Sequence, residues 1–141
     1  MTDQCIFCRI VADDLEASVV HETPTTIALM DIDPATPGHV LVMPKAHLPA
    51  LADLDDDTAN DMFAVARAVA TALRASSIPC AGVNLFYADG EVAFQEVPHS
   101  HLHVVPRTPG DGFTIAARWG SAPPRAELDA QASELRIHVG R

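Results

Sequence analysis

The sequence predicts an α+β domain: a five-stranded antiparallel sheet with one long helix and a C-terminal helix. Three observations carry this. Five short β-prone segments are parted by turns rich in Pro and Gly. One stretch from Asp55 changes to the three-or-four spacing of an amphipathic helix. The strands follow one another as meanders instead of alternating with helices, giving the coarse order β-β-β-α-β-β-α. A length of 141 residues fits one domain, 1–141, with one core.

The first two strands lie in "SVVHETPTTIALMDI", over 18–21 and 25–31, with Pro24 between them. "PATPGHVLVMPKAH" turns at Pro37 and Gly38, then alternates His39, Leu41 and Met43 against Val40 and Val42. That is a third strand, ended by Pro44. In the following helix Met62, Ala66, Val69 and Leu73 form the apolar stripe. Asp55, Asp56 and Asp57 open it and Arg67 and Arg74 lie toward its end, as the helix dipole favours. "AGVNLFYADG" is a fourth strand with a turn at Asp89 and Gly90, and "PHSHLHVVPR" a fifth. After a loop, "TPGDGF", the segment "GSAPPRAELDAQASELRI" enters a helix through Pro123 and Pro124, with Leu128 and Leu135 on one side. Trp119 reads as a packing residue or a pocket cap.

A net charge of −10 argues against nucleic acid as a partner, because phosphate-backbone binders need a basic face. It also repels small phosphorylated ligands at long range, so any phosphate site must carry its own local donors. No apolar run approaches the ~20 residues that span a bilayer. The start "MTDQCIFCRI" lacks the basic and apolar regions of a secretory signal, and the expected location is cytoplasmic. In that setting the pair Cys5 and Cys8 points to a metal site or a redox dithiol rather than a structural disulfide. Cys80, alone beside Pro79, reads as a buried thiol.

The densest chemistry is His99, His101 and His103 at every second position. On an extended strand they share one face, while Leu102 and Val104 turn to the core. Neighbours in such a row are roughly 6.6–6.8 Å apart and the outer pair about 13 Å. One tetrahedral zinc, with Zn–N near 2.0–2.1 Å, can use a neighbouring pair but not all three. The three must divide their labour.

"HSHLHVV" resembles the alternating histidine signature of the histidine triad (HIT) family, with Ser100 at its first apolar position. "LMDIDPATPGHVLVMPKAH" and the N-terminal "CIFCRI" resemble two further elements of the family's bacterial nucleotide-hydrolase branch, so the likeness covers 5–107 and leaves 108–141 as a C-terminal extension. The resemblance implies the HIT-like fold and hydrolysis of purine nucleoside phosphoramidates, or related nucleotides, at the α-phosphate. It implies His101 as the nucleophile, His103 beside the phosphate oxygens and His39 as a supporting histidine. Asp31 would bind the ribose hydroxyls, Ile32 the base, and Gln95 the phosphate or leaving group. Cys5, Cys8, His47 and His99 would hold a structural zinc. A purine mononucleotide such as AMP or GMP is the implied ligand, and a homodimer with one continuous sheet the implied assembly.

Two departures stand out. Ala88 replaces an asparagine expected to reach the phosphate, and Phe94 a small residue at the pocket wall; Asn84 lies too early in the motif to substitute. They keep open a second reading, a nucleotide-binding or interaction module with little turnover. A catalytic zinc is a third reading, disfavoured because the cysteine pair would close the metal's coordination.

Overall fold

The computed structural model describes residues 4–140, so the ends of the expected domain, 1–3 and 141, lie outside the described residues. A short helix α1 (Ile6–Val11) precedes strands β1 (Val19–Glu22), β2 (Thr26–Met30) and β3 (Val40–Pro44). Helix α2 (Asp56–Ala75), β4 (Gly82–Tyr87), β5 (Leu102–Arg107) and helix α3 (Arg125–His138) follow. Single 3-10 turns occupy Leu51–Asp53 and Glu91–Ala93. The five strands form one sheet in the order β1-β2-β3-β5-β4, every pairing antiparallel. The expected sheet, long helix and C-terminal helix are all present.

Strict alternation in the central strands serves two cores, one on each face. Ala28, Val40, Val42 and Val104 face α2, which inserts Met62, Val65, Ala66, Val69 and Leu73. Ile27, Leu29, Leu41 and Met43 face the other way, against Cys5 and Phe7. Because both faces are covered, β2 and β3 read as nearly unbroken apolar runs. At the start of α2 the Asp55 carboxylate caps the helix by accepting from the Thr58 N–H at 2.7 Å.

The structure differs from the sequence reading at three points. First, α1 was not anticipated, since six residues are too few to show a helical period. Second, β5 starts at Leu102, so His99 and His101 precede the ladder and only His103 lies within it. The Ser100 N–H there donates to the Leu48 carbonyl at 2.8 Å rather than to a neighbouring strand. Third, α3 buries none of its side chains: Leu135 is 62% and Trp119 80% exposed, so neither packs into a core. Cys80 is half-buried, with its thiol donating to the Gly82 carbonyl at 3.3 Å.

Gly38 places His39 at the start of β3. Its φ is +92°, and a Cβ there would lie 2.7 Å from Ile78 Cγ2 and 3.2 Å from both Leu73 Cδ2 and Pro106 Cγ. Gly38→Ala should therefore lower unfolding free energy by at least about 1 kcal/mol, measured by urea denaturation, because alanine is strained where φ is positive.

Candidate active site and metal cluster

On the α1 face of the sheet the structure gathers seven of the ten anticipated site side chains into two adjoining groups. One contains Cys5, Cys8, His47 and His99; the other contains Asp31, His39 and His103. His101 links them: its ring lies 4.9 Å from that of His103 and 5.2 Å from Phe7, which also meets His99 edge-on at 5.7 Å. Phe7 had no signal in the sequence beyond its place between the two cysteines.

In the first group the helical turn of α1 explains the cysteine spacing. Residues three apart share a helix face, so Cys5 and Cys8 point together. Cys5 Sγ lies 3.5 Å from His99 Nδ1, while Cys8 Sγ lies 3.6 Å from the same nitrogen and 3.3 Å from His47 Nδ1. A tetrahedral zinc with bonds near 2.3 Å to sulfur and 2.0–2.1 Å to nitrogen separates such ligands by about 3.6 Å. The fit is therefore direct. His99 is also held in the required tautomer, since its Nε2–H donates to the Pro44 carbonyl at 2.7 Å and leaves Nδ1 as a lone pair. Burial lowers the pKa of this ring. Burial and the neighbouring Cys5 push the Cys8 thiol up to about 11, so a thiolate pair here calls for a cation.

In the second group one backbone amide sets two rings. The Ala35 N–H donates to His39 Nδ1 at 3.1 Å, which leaves the proton of a neutral His39 on Nε2. That Nε2–H donates to His103 Nδ1 at 2.8 Å, and the proton of His103 is in turn confined to Nε2. Asp31 stands 3.5 Å from His39 Nε2 through one carboxylate oxygen, and its other oxygen accepts from the Asp33 N–H at 2.8 Å. Burial lowers the pKa of His39 against the opposing pull of Asp31. Burial, with His101 and His39 adding to it, pushes His103 down to about 4. The trio is not arranged for a metal: a cation on His39 Nε2, with Nδ1 already accepting a hydrogen bond, would require an imidazolate.

His101 completes the set. Its Nδ1–H donates to the His99 carbonyl at 2.7 Å, so Nε2 carries the free electron pair, and the side chain is 5% exposed. The chemistry available is a neutral nitrogen nucleophile beside a nitrogen–hydrogen donor.

The remaining anticipated residues make other contacts. Gln95 has its amide committed to backbone: Oε1 accepts from the Gly90 N–H at 2.8 Å and Nε2 donates to the Pro49 carbonyl at 2.7 Å. Ile32 is 92% exposed and lines a groove with Ile10 and Val11, so it belongs to no core. Ala88 is buried, whereas Phe94 is 81% exposed with φ +69° and lines an open groove with Glu91, Gln95, Glu96 and Pro98. Asn84 accepts from the Arg107 guanidinium at 2.6 Å through its Oδ1.

The family model described as HIT domain matches residues 12–110. An uncharacterized HIT-like protein of Borreliella burgdorferi is 41% identical over 110 residues, 77% of this chain and 79% of the relative. The adenosine 5'-monophosphoramidase of Schizosaccharomyces pombe is 32% identical over 119 residues, 84% of this chain and 85% of the relative. Among solved structures, a HIT family protein from Bacillus subtilis superposes with TM-score 0.90 at 32% identity, covering 98% of this chain and 99% of that one. A zinc-bound histidine triad family protein from Mycobacterium smegmatis superposes with TM-score 0.77 at 38% identity, covering 97% and 99% respectively.

The low pKa of His103 has a consequence for stability. Between about 4 and the ordinary histidine value of 6.5 the unfolded chain binds a proton that the folded ring refuses, so stability falls as pH drops through that window. His103→Asn keeps an acceptor for the His39 proton but cannot titrate. Urea midpoints measured from pH 7 to pH 4 should decline less steeply in this variant than in the unmodified protein.

Proposed function

The chain belongs to the HIT family and has its fold, and from that premise we propose that it is a nucleotide hydrolase acting through His101. The reading rests on one observation: His101 donates Nδ1–H to the His99 carbonyl, which directs the Nε2 electron pair away from the backbone. Nε2 attacks the α-phosphorus of a purine nucleoside phosphoramidate. The phosphorus–nitrogen bond to the leaving amine breaks, the amine takes a proton from water, and a nucleotidyl-His101 intermediate remains. Water then attacks phosphorus, cleaves the bond to Nε2 and releases the mononucleotide, AMP or GMP.

Charge on the intermediate ring is balanced at Nδ1–H by the His99 carbonyl. His103 offers Nε2–H to the phosphate oxygens, and His39 holds it in that tautomer. Asp31 would accept from the ribose hydroxyls, and Ile32, with Ile10 and Val11, would form the apolar ledge for the base. Gln95 steadies the loop through Gly90 and Pro49, and the second hydrogen of its amide nitrogen would donate to the phosphate or leaving group. Support from relatives is coarser: the Schizosaccharomyces pombe relative is named adenosine 5'-monophosphoramidase.

Zinc bound by Cys5, Cys8, His47 and His99 would be structural, because four protein ligands close its coordination and leave no position for water. The ion would neutralise the two thiolates and fasten α1 to the segment before β5. The assembly that suits the sheet is a homodimer joined through β4, an edge strand whose Leu85 and Phe86 are 41% and 43% exposed. No helix among the described residues is long and apolar enough to cross a membrane.

His101→Ala should abolish AMP release from adenosine phosphoramidate, by at least about a thousandfold, while AMP binding and zinc content persist. Quenching the unmodified enzyme during turnover of labelled substrate should leave the label on His101. A labelled adduct on any other residue, or undiminished turnover by the variant, overturns the reading. Metal analysis should find one zinc per chain, and Cys8→Ser or strong chelation should lower the melting temperature before it alters kcat at low temperature. A fall in kcat with no loss of stability would instead make the metal catalytic.

A further inference from the structure

Ser100 is a polar residue where the alternation of the strand calls for an apolar one. It is fully buried, and its hydroxyl accepts from Tyr87 Oη–H at 2.7 Å while donating to the Ala50 carbonyl at 3.3 Å. Tyr87 is paired with Leu102 in the final pair of the β4–β5 ladder. Ser100 lies two residues beyond that pair on the same face, within diagonal reach of a tyrosine. This face carries the α2 core, since Tyr87 and Leu102 both pack against it. The histidine rings occupy the other face.

The peptide between His99 and Ser100 joins the two faces. Its N–H donates to the Leu48 carbonyl at 2.8 Å and its C=O accepts the His101 Nδ1–H at 2.7 Å. In a trans peptide these two groups point in opposite directions. Any rotation of this peptide that releases Leu48 also turns the carbonyl away from His101. Leu48, Pro49 and Ala50 present three consecutive carbonyls to the segment 95–100, receiving the Ser100 N–H, the Gln95 amide and the Ser100 hydroxyl. Tyr87 closes this clasp from the side opposite the loop.

We propose that Tyr87 and Ser100 are positioning residues that aim His101 from behind the sheet, by fixing the His99–Ser100 peptide plane. Neither touches the ligand. In this chain they replace the apolar packing that the first variable position of "HSHLHVV" would otherwise supply. The proposal rests on the assignment of His101 as nucleophile for its kinetic consequence, and on geometry alone for its structural one.

The test uses the full-length, metal-loaded protein with Tyr87→Phe, Ser100→Ala, Ser100→Thr and the double variant Tyr87→Phe/Ser100→Ala. Two readouts are compared: steady-state hydrolysis of adenosine phosphoramidate, and the proton NMR signal of the His101 Nδ1–H. In Tyr87→Phe and Ser100→Ala, kcat should fall about ten- to a hundredfold, the range expected for a misaligned reacting group, with KM changed less than twofold. The Nδ1–H signal should shift and exchange faster with solvent. The double variant should be no worse than either single change, because both break one chain of bonds, and Ser100→Thr should recover most of the rate. If one variant fails to fold, the other single variant carries the same readouts. An unchanged Nδ1–H signal overturns the proposal whatever the rates. A rate loss carried in KM alone, or additive losses in the double variant, overturns it equally. If the unmodified protein shows no turnover, the nucleophile assignment fails, and the NMR comparison still decides whether this pair holds the ring.

Discussion

A neutral imidazole has one proton and two nitrogens, and its chemistry depends on which nitrogen keeps it. Here three backbone groups make that choice for four rings. The Pro44 carbonyl takes the Nε2 proton of His99, the His99 carbonyl takes the Nδ1 proton of His101, and the Ala35 amide denies a proton to Nδ1 of His39. His39 then settles His103 through a 2.8 Å contact. As a result His99 presents a lone pair to the cysteines, His101 presents one to the site, and His103 presents a donor. Similar side chains acquire three different functions from the peptide groups around them, and much of the rest of the fold keeps those groups still.

The two-sided sheet supplies that rigidity. Val40, Val42 and Val104 are locked against α2, while Leu41 and Met43 are covered by Phe7 and Cys5 from α1. Ladder hydrogen bonds hold His103 opposite Leu41 within β5. His99 and His101 lie before that ladder begins and need other restraints. They receive them from the carbonyls of Leu48, Pro49 and Ala50, which follow His47 directly in sequence. The cysteine–histidine cluster and the His101 ring are thus joined by a few covalent bonds on one side and a short loop on the other.

Much of the architecture was legible in the sequence because it rests on periodicity. The stripe Met62–Ala66–Val69–Leu73 and the alternation around Val40 and Val42 report directly which side chains are buried. The candidate site was legible as a set of residue types: two cysteines three apart and histidines two apart. What escaped was decided by partners that residue identity does not specify. The Ala35 amide and the Pro44 carbonyl exist at any residue, so the tautomers they impose have no sequence signature. The early end of the ladder follows from the Leu48 carbonyl capturing Ser100, a contact 52 positions away along the chain. Gln95 was assigned by resemblance to the ligand, and its bonds to the Gly90 amide and the Pro49 carbonyl had no sequence signature. Ser100 gave the one visible hint, as a polar residue in an apolar register.

His99 divides its duties between two parts of one residue. The side chain addresses the cysteine cluster, and the main-chain carbonyl addresses His101. Every amino acid brings that carbonyl, so a substitution at position 99 would withdraw the ring from the cysteine cluster and keep the main-chain acceptor of the His101 Nδ1–H. His101 has no such latitude under the proposed mechanism, because its role there resides entirely in the imidazole. Under the proposed mechanism, replacing Cys5, Cys8 and His99 together would therefore remove the candidate metal ligands and leave in place the carbonyl that accepts from His101 Nδ1–H.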